Sequence, residues 1–323
     1  MRPVLVCAAM PTPRRARTNA PSDATAAPAA DAAPALPAPA APPSLTAATA
    51  APAASTEPSF VVATWNVNSL RQRMVRFLPW LAAEKPDVVC LQELKMQESE
   101  FPTLELSAAG YHAVALGQKT YNGVAILSRI EHGAPLDVQA GFQDGDPEPD
   151  ARLLAATIPG LGVRVVSVYV PNGQTLDSEK YPYKLRWLER FERYLAARCR
   201  LPADGMPWVV CGDYNIAPGD RDIYDPAGWQ DTVICHRDVR AAWERLVGLG
   251  LVDSLRKLQP DTTAYTYWDY RGLSFPKNQG MRIDHVLCSP GLSDRIVEAR
   301  VDRAARKGEK PSDHAPLLVR FRR

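Results

Sequence analysis

The chain has 323 residues, 46% of them hydrophobic and 23% charged, with a formal net charge of +2. No apolar run approaches the ~20 residues needed to cross a bilayer as a helix, which excludes a helical membrane protein. A protein that coats nucleic acid non-specifically would be far more basic, although an enzyme can gather Lys and Arg on one face while acidic groups elsewhere cancel them.

In chain order, residues 1–58 come first and read as a tail. From Ala20 to Pro58 the sequence is dominated by Ala and Pro, holds no aromatic residue and carries almost no charge. Such a segment cannot bury enough apolar surface to offset the ordering of its backbone, so disorder is expected. The apolar stretch 3–10 precedes the basic cluster Arg14-Arg15-Ala16-Arg17, the reverse of a secretory signal. An organelle address stays open; an extension or a misassigned start codon is the simpler reading. Residues 59–323 suffice for one large α/β domain or two small ones.

From residue 60 the pattern alternates between strand and helix. Residues 60–66 and 87–93 read as buried strands. Between them Leu70, Met74, Phe77, Leu78 and Leu81 fall at helical spacing, with Pro79 expected to kink that helix or to begin its regular part. Strands are predicted at 112–116, 123–128, 152–158 and 163–170, then a long amphipathic helix over 178–198 with Tyr183, Trp187, Phe191 and Leu195 along one stripe. A strand at 208–215, a helix at 238–249 and strands at 282–289, 296–302 and 315–321 complete the chain. Several connections are too short for a parallel crossover and require antiparallel hairpins, which points to a layered α/β sandwich. No G-x-G-x-x-G and no P-loop occurs, so nucleotide cofactors are not indicated. The six cysteines include no CxxC pair and suit buried, reduced thiols of a cytosolic protein.

The chemistry collects where strands end. Strand one ends in Trp65-Asn66-Val67-Asn68, strand two in Gln92-Glu93, a third in Tyr169-Val170-Pro171-Asn172-Gly173 and a fourth in Gly212-Asp213-Tyr214-Asn215. A late strand carries Arg282-Ile283-Asp284-His285, and the last is entered through Ser312-Asp313-His314. Strand ends share one rim of a sheet, so these side chains can converge. Acids and amides beside an apolar core are costly unless they share a cation or a substrate. Carboxylate and amide oxygens with a single His suit a hard cation, Mg²⁺ or Mn²⁺, not zinc. Such a cation, a base for water and a donor to phosphate oxygens are the parts that phosphodiester hydrolysis requires.

These segments, with Leu91-Gln92-Glu93-Leu94-Lys95, Asn122-Gly123-Val124-Ala125, Trp268-Asp269-Tyr270-Arg271 and Pro311-Ser312-Asp313-His314-Ala315-Pro316, resemble in order the exonuclease III family of abasic-site endonucleases, within the endonuclease/exonuclease/phosphatase superfamily. The resemblance covers residues 60–323 and implies a single catalytic domain over 59–323. It also implies a four-layered α/β sandwich, two mixed and mainly antiparallel sheets packed face to face with helices outside. The implied activity is Mg²⁺-dependent cleavage 5′ to abasic sites in double-stranded DNA, with 3′→5′ exonuclease action and trimming of blocked 3′ ends. By the same resemblance Glu93 is the principal metal ligand, supported by Asn66, Asp313, Asp213 and Asn215. Asp213 orients the attacking water or protonates the leaving 3′ oxygen, and Asn215 holds Asp213 and the scissile phosphate in place. His314, made more basic by Asp284, donates to a phosphate oxygen, while Tyr169 and Asn172 bind the phosphate. Tyr267, Trp268, Met281 and Ile283 line a pocket for a base-less sugar turned out of the helix. Leu94 departs from the Thr common in the family. A cytoplasmic monomer is expected.

Blander roles compete. Asn122-Gly123 reads as a turn, whereas Asn172-Gly173 can be a turn and a ligand. His112, His132 and His236 have no motif context. His285 follows Asp284 on a strand, points to the opposite face and is expected to be structural. The run Arg300, Arg303, Arg306, Lys307 and Lys310 suits a solvated face that can also attract DNA phosphate. Rival functions are a phosphatase or RNA-directed exonuclease on the same scaffold, or a non-catalytic nucleic-acid-binding regulator. A binding module has no need of Glu93, Asp213, Asn215, Asp284 and His314 together.

Overall fold

Phe60 and Val62 face one way and Val61, Ala63 and Trp65 the other along the first strand, and both sets are buried. A strand apolar on both faces must be covered on both, and this alternation builds the layers. The computed structural model describes residues 57–199 and 205–323; the tail expected over 1–58 lies outside them up to residue 56. Twelve strands are formed there: β1 (Ser59–Asn66), β2 (Val88–Gln92), β3 (Tyr111–Leu116), β4 (Val124–Arg129), β5 (Leu136–Ala140) and β6 (Leu153–Ile158). They are followed by β7 (Val163–Tyr169), β8 (Trp208–Asp213), β9 (Val252–Asp253), β10 (Asp284–Cys288), β11 (Ile296–Val301) and β12 (Leu317–Arg322).

One sheet runs β11-β12-β1-β2-β4-β3 and the other β5-β6-β7-β8-β10-β9. In each, a single parallel pair, β1 with β2 and β7 with β8, sits among antiparallel neighbours. Phe60, Val62, Val88, Cys90 and Ile126 of the first sheet meet Leu154, Val165, Val209, Cys211 and Val286 of the second in a shared core. The outer face of the first sheet is covered by the helix Leu70–Glu84 through Leu70, Phe77, Trp80 and Leu81. That of the second is covered by the helices Lys180–Cys199 and Arg237–Gly248 through Trp187, Phe191, Leu195, Trp243 and Leu246. The expected sandwich of two face-to-face sheets with helices outside is therefore what forms.

Two expectations fail locally. Pro79 does not begin the regular part of its helix, which is assigned continuously from Leu70 to Glu84. The carbonyl it leaves without a donor belongs to Val75, 78% exposed, where water can serve it. Two strands were not predicted: β5, whose Leu136, Asp137 and Val138 are exposed on a sheet edge, and the two-residue β9. The described thiols, Cys90, Cys211, Cys235 and Cys288, are free and buried, as expected.

Candidate active site

Parallel pairing of β1 with β2 brings their C-terminal ends to one rim, and antiparallel β12 begins at that rim. In the second sheet β7 and β8 end, and β10 begins, on the corresponding rim, where Asp213 stands opposite Tyr169 on one side and Asp284 on the other. Packing the sheets face to face sets the two rims against each other. A single amide joins them: Asn66 Nδ2 donates to Glu93 Oε1 at 2.9 Å and to Asp213 Oδ2 at 2.9 Å. The strands stop here because the backbone turns left-handed, with φ of 54° at Glu93 and 49° at Asn215. Such conformations are strained for side-chain-bearing residues and are retained where surrounding contacts over-determine them.

From Glu93 the network extends to Tyr169, whose hydroxyl donates to Oε1 at 2.9 Å, and to Lys95, whose ammonium lies 2.7 Å from Oε2. Lys95 also donates to Asn68 Oδ1, and Asn68 Nδ2 to Asp313 Oδ1 at 3.0 Å. From Asp213, Oδ1 accepts the Asn215 backbone N–H at 2.9 Å, and Asn215 Oδ1 accepts Asn172 Nδ2 at 3.0 Å. His314 Nδ1 faces Asp284 Oδ2 at 2.7 Å, leaving Nε2 3.8 Å from Asp213 Oδ2. Glu93, Asp213, Asp313 and His314 thus meet in one place, with Asn66, Tyr169, Asn172, Asn215 and Asp284 around them.

The electrostatics follow from burial opposed by partners. Burial alone raises the Glu93 carboxyl, but Lys95 and the Asn66 amide outweigh it and hold Glu93 below the usual carboxylate range. Burial pushes Asp213 up to about 7, with Asp284 adding to the rise and His314 opposing it. For His314 burial favours the neutral ring, yet Asp284 and Asp213 together push it up to about 10. Burial, then Glu93 and Asp213, raise the Tyr169 hydroxyl well above its ordinary value, so it stays a donor. An anion such as a phosphate thus meets an imidazolium and a phenol, with one buried acid poised near neutrality beside them.

The donor set fits a hard divalent cation: Glu93, Asp213 and Asp313 supply carboxylate oxygens. Asp213, Asp284 and His314 each offer a ligand atom within 4.8 Å of the others. A second such group, Asp87, Glu131 and His132, lies at the opposite end of β2, where His132 Nε2 is spent on Asp87 Oδ1 at 2.6 Å. His132 has no motif context, and its pairing with Asp87 is a buried one.

The pocket residues divide. Tyr267 packs edge-on to His314 at 5.0 Å between ring centroids and bridges to Met281, while Met281 and Ile283 are buried beneath it. Trp268 is fully buried against Tyr265, Phe275 and Ala315, so it supports the wall instead of forming its surface. Asn172 is both turn and contact, since its Oδ1 accepts the Gln174 N–H while Nδ2 reaches Asn215. Asn122 and Gly123 are both left-handed but form no turn of their own; their carbonyls accept the N–H groups of Lys95 and Leu94 beyond β2. His285, on the face opposite Asp284, is buried, accepts from Arg282 and reaches Ile216 O at 2.9 Å. Of the late charge run, Arg303 and Arg306 lie over Trp268, Phe275 and Tyr270, and Arg306 is buried, so part of it is packing and not a solvated face.

Four residues of the network carried no assignment in the sequence analysis. Asn68 and Lys95 stood in the quoted segments, each two residues beyond a predicted apolar strand, and that position was their signal. Ser312 Oγ donates to Asn66 O at 2.7 Å, and Thr266 Oγ1 accepts the N–H groups of Ile283 and Asp284 at 3.1 Å. Ser312 also stood in a quoted segment, whereas the Thr266 hydroxyl is not distinguishable in sequence from a surface one.

A model of the Endonuclease/Exonuclease/phosphatase family matches residues 63–314. Exodeoxyribonuclease III of Haemophilus influenzae is 34% identical over 270 residues, 80% of this chain and 98% of that protein. An AP endonuclease structure from Archaeoglobus fulgidus is similar at a TM-score of 0.76 and 41% identity, covering 81% of this chain and 99% of that one. A 3′ phosphatase from Neisseria, bound to a product DNA hairpin, is similar at a TM-score of 0.76 and 42% identity over 81% of this chain and 99% of that one.

Proposed function

The chain belongs to the Endonuclease/Exonuclease/phosphatase family, and on that footing we propose that it is a divalent-metal-dependent phosphodiesterase of DNA repair that cuts duplex DNA 5′ to abasic sites and trims blocked 3′ ends. The observation that carries the proposal is the Asn66 amide held at 2.9 Å from both Glu93 and Asp213, because it ties an anionic cation site to a nearly neutral acid across two sheets. Relatives of similar identity bear the names of an exodeoxyribonuclease, an AP endonuclease and a 3′ phosphatase, three hydrolyses of a phosphate ester at or near a DNA 3′ oxygen.

In the mechanism Glu93, with Asp313 and the Asn66 and Asn68 amides beside it, would hold Mg²⁺ or Mn²⁺. When bound, the cation supplies neutralisation of the charge that develops on the phosphate. Tyr169 and the His314 imidazolium would donate to non-bridging oxygens, with Asp284 keeping the imidazole oriented and charged. Asp213 would take a proton from water or return one to the leaving 3′ oxygen, and a group near pH 7 serves either direction. Asn215 would fix Asp213 through its backbone N–H, and Asn172 would fix Asn215. Tyr267, Met281 and Ile283 would form a wall that admits a base-less sugar, the nucleotide with least stacking to lose.

Residues 59–323 would constitute the catalytic unit, acting as a monomer in the cytoplasm; among the described residues no helix is long and apolar enough to cross a membrane. The test is a duplex with one abasic analogue and a second duplex with a 3′-phosphate, each incubated with Mg²⁺ and with chelator. Metal-dependent cutting 5′ to the analogue supports the proposal. Release of 3′-phosphate without incision would favour the phosphatase alternative, and binding with no cut the regulator.

A further inference from the structure

The helix Lys180–Cys199 buries Tyr181, Leu188, Phe191 and Leu195 along one stripe. Lys184 falls on that same stripe, three residues after Tyr181 and four before Leu188, and its exposure is 0%. Burying an ammonium is costly unless every N–H finds an acceptor. Lys184 Nζ finds three carbonyls: Asn215 O at 2.7 Å, Val233 O at 2.7 Å and Asn172 O at 3.1 Å. Lys184 Nζ thereby joins three separate segments; one carries Asn215, whose backbone N–H holds Asp213, and another Asn172, whose side chain holds that of Asn215.

We propose that Lys184 is a positioning residue for phosphodiester cleavage, fixing Asn172 and Asn215 from behind so that the Asn172 side chain is presented to the phosphate and the Asn215 backbone N–H to Asp213 in one geometry. This rests on the function proposed above. The Asn172 and Asn215 side chains are bonded to each other at 3.0 Å, so clamping both backbones also sets that contact. The Asn215 backbone is left-handed at φ 49°, a conformation that needs an outside tether. The fit around the lysine stem is close: a Cβ on Gly173, itself at φ +98°, would lie 3.2 Å from Lys184 Cδ and from Val233 Cβ. Core packing alone would be served by Leu or Met at this place on the stripe; gathering carbonyls needs N–H donors, which the amine keeps although burial pushes it down to about 7.

The test is Lys184→Met, which keeps the length of the side chain and removes its donors, followed by Lys184→Arg, which restores charge and donors. For a folded Met variant, single-turnover and steady-state assays on abasic duplex should show kcat lower by about 10²-fold, the scale of a small misplacement of reacting groups. KM for DNA and the half-saturating Mg²⁺ should stay within about threefold, and Arg should recover part of the rate. A folded Met variant with wild-type kcat, or one altered only in KM, overturns the proposal. So does failure of both variants to fold, because the side chain would then serve the fold and not the site. Wild-type protein that cuts neither abasic nor 3′-blocked DNA would overturn the functional proposal instead, whatever the variants do.

Discussion

His314 shows how the site's charges feed back on stability. Its ring is pushed from an ordinary 6.5 up to about 10 by Asp284 and Asp213 against the pull of burial. A base raised in the folded state contributes stability that is fully present below about pH 6.5 and lost as pH rises through about 10. Asp213, raised from 3.8 to about 7 chiefly by burial, binds its proton more tightly when folded, so stability also falls as pH rises between those values. Lys184, pushed down to about 7 by burial, opposes this over the same range, so the signature is the difference between proteins: from about pH 6.5 to about pH 9.5, thermal melts of the chelated protein should show Tm falling more, or rising less, in wild type than in His314→Asn. Equal slopes in the two proteins would contradict the assignment of the proton to His314. The positions of Glu93 and Asp213 were legible in sequence because each ends an apolar strand, and that of His314 because it leads into one, where a polar group has no other reason to be; their roles came from the resemblance alone. Lys184 was not, since a lysine among helical apolar positions is also the pattern of a side chain snorkelling to solvent.

At the scale of elements, the strands next to the shared core were the legible ones, because burial on both faces writes continuous apolar runs such as those of β1, β2, β7 and β8. Edge strand β5 was not, since Leu136-Asp137-Val138-Gln139 faces solvent and leaves no pattern. The exact ends of β2 and β8 depend on left-handed residues that no periodicity encodes. The close approach of β7 to β8 rests on Gly212. At φ +153°, a Cβ there would lie 1.9 Å from Val168 O, a backbone atom that cannot move without breaking the ladder. Gly212→Ala should cost about 3 kcal/mol or more and appear as a lower urea midpoint or insoluble protein. A variant with wild-type stability would mean that the two strands are farther apart than described. Gly212 precedes Asp213, so the same crowding that fixes the sheet also fixes where the acid is presented.

For the whole molecule, two sheets contribute opposite halves of one site, and neither half is complete alone. Glu93 and His314 come from the first, Tyr169, Asp213 and Asp284 from the second, so on the proposed mechanism it is the face-to-face packing that assembles the site. If residues 59–323 are the catalytic unit, protein beginning at Ser59 should keep its incision rate within about twofold and its Tm within a few degrees. A large loss of either would place part of the preceding segment in the working enzyme. The most direct test of the shared site compares wild type with Glu93→Gln and Asp213→Asn on one abasic duplex, measuring bound DNA and single-turnover incision in Mg²⁺. Both variants should bind the duplex with nearly wild-type affinity and cut it at least about 10³-fold more slowly. Incision at wild-type rate by either variant would contradict the claim that these two carboxyls, joined through Asn66, carry the reaction.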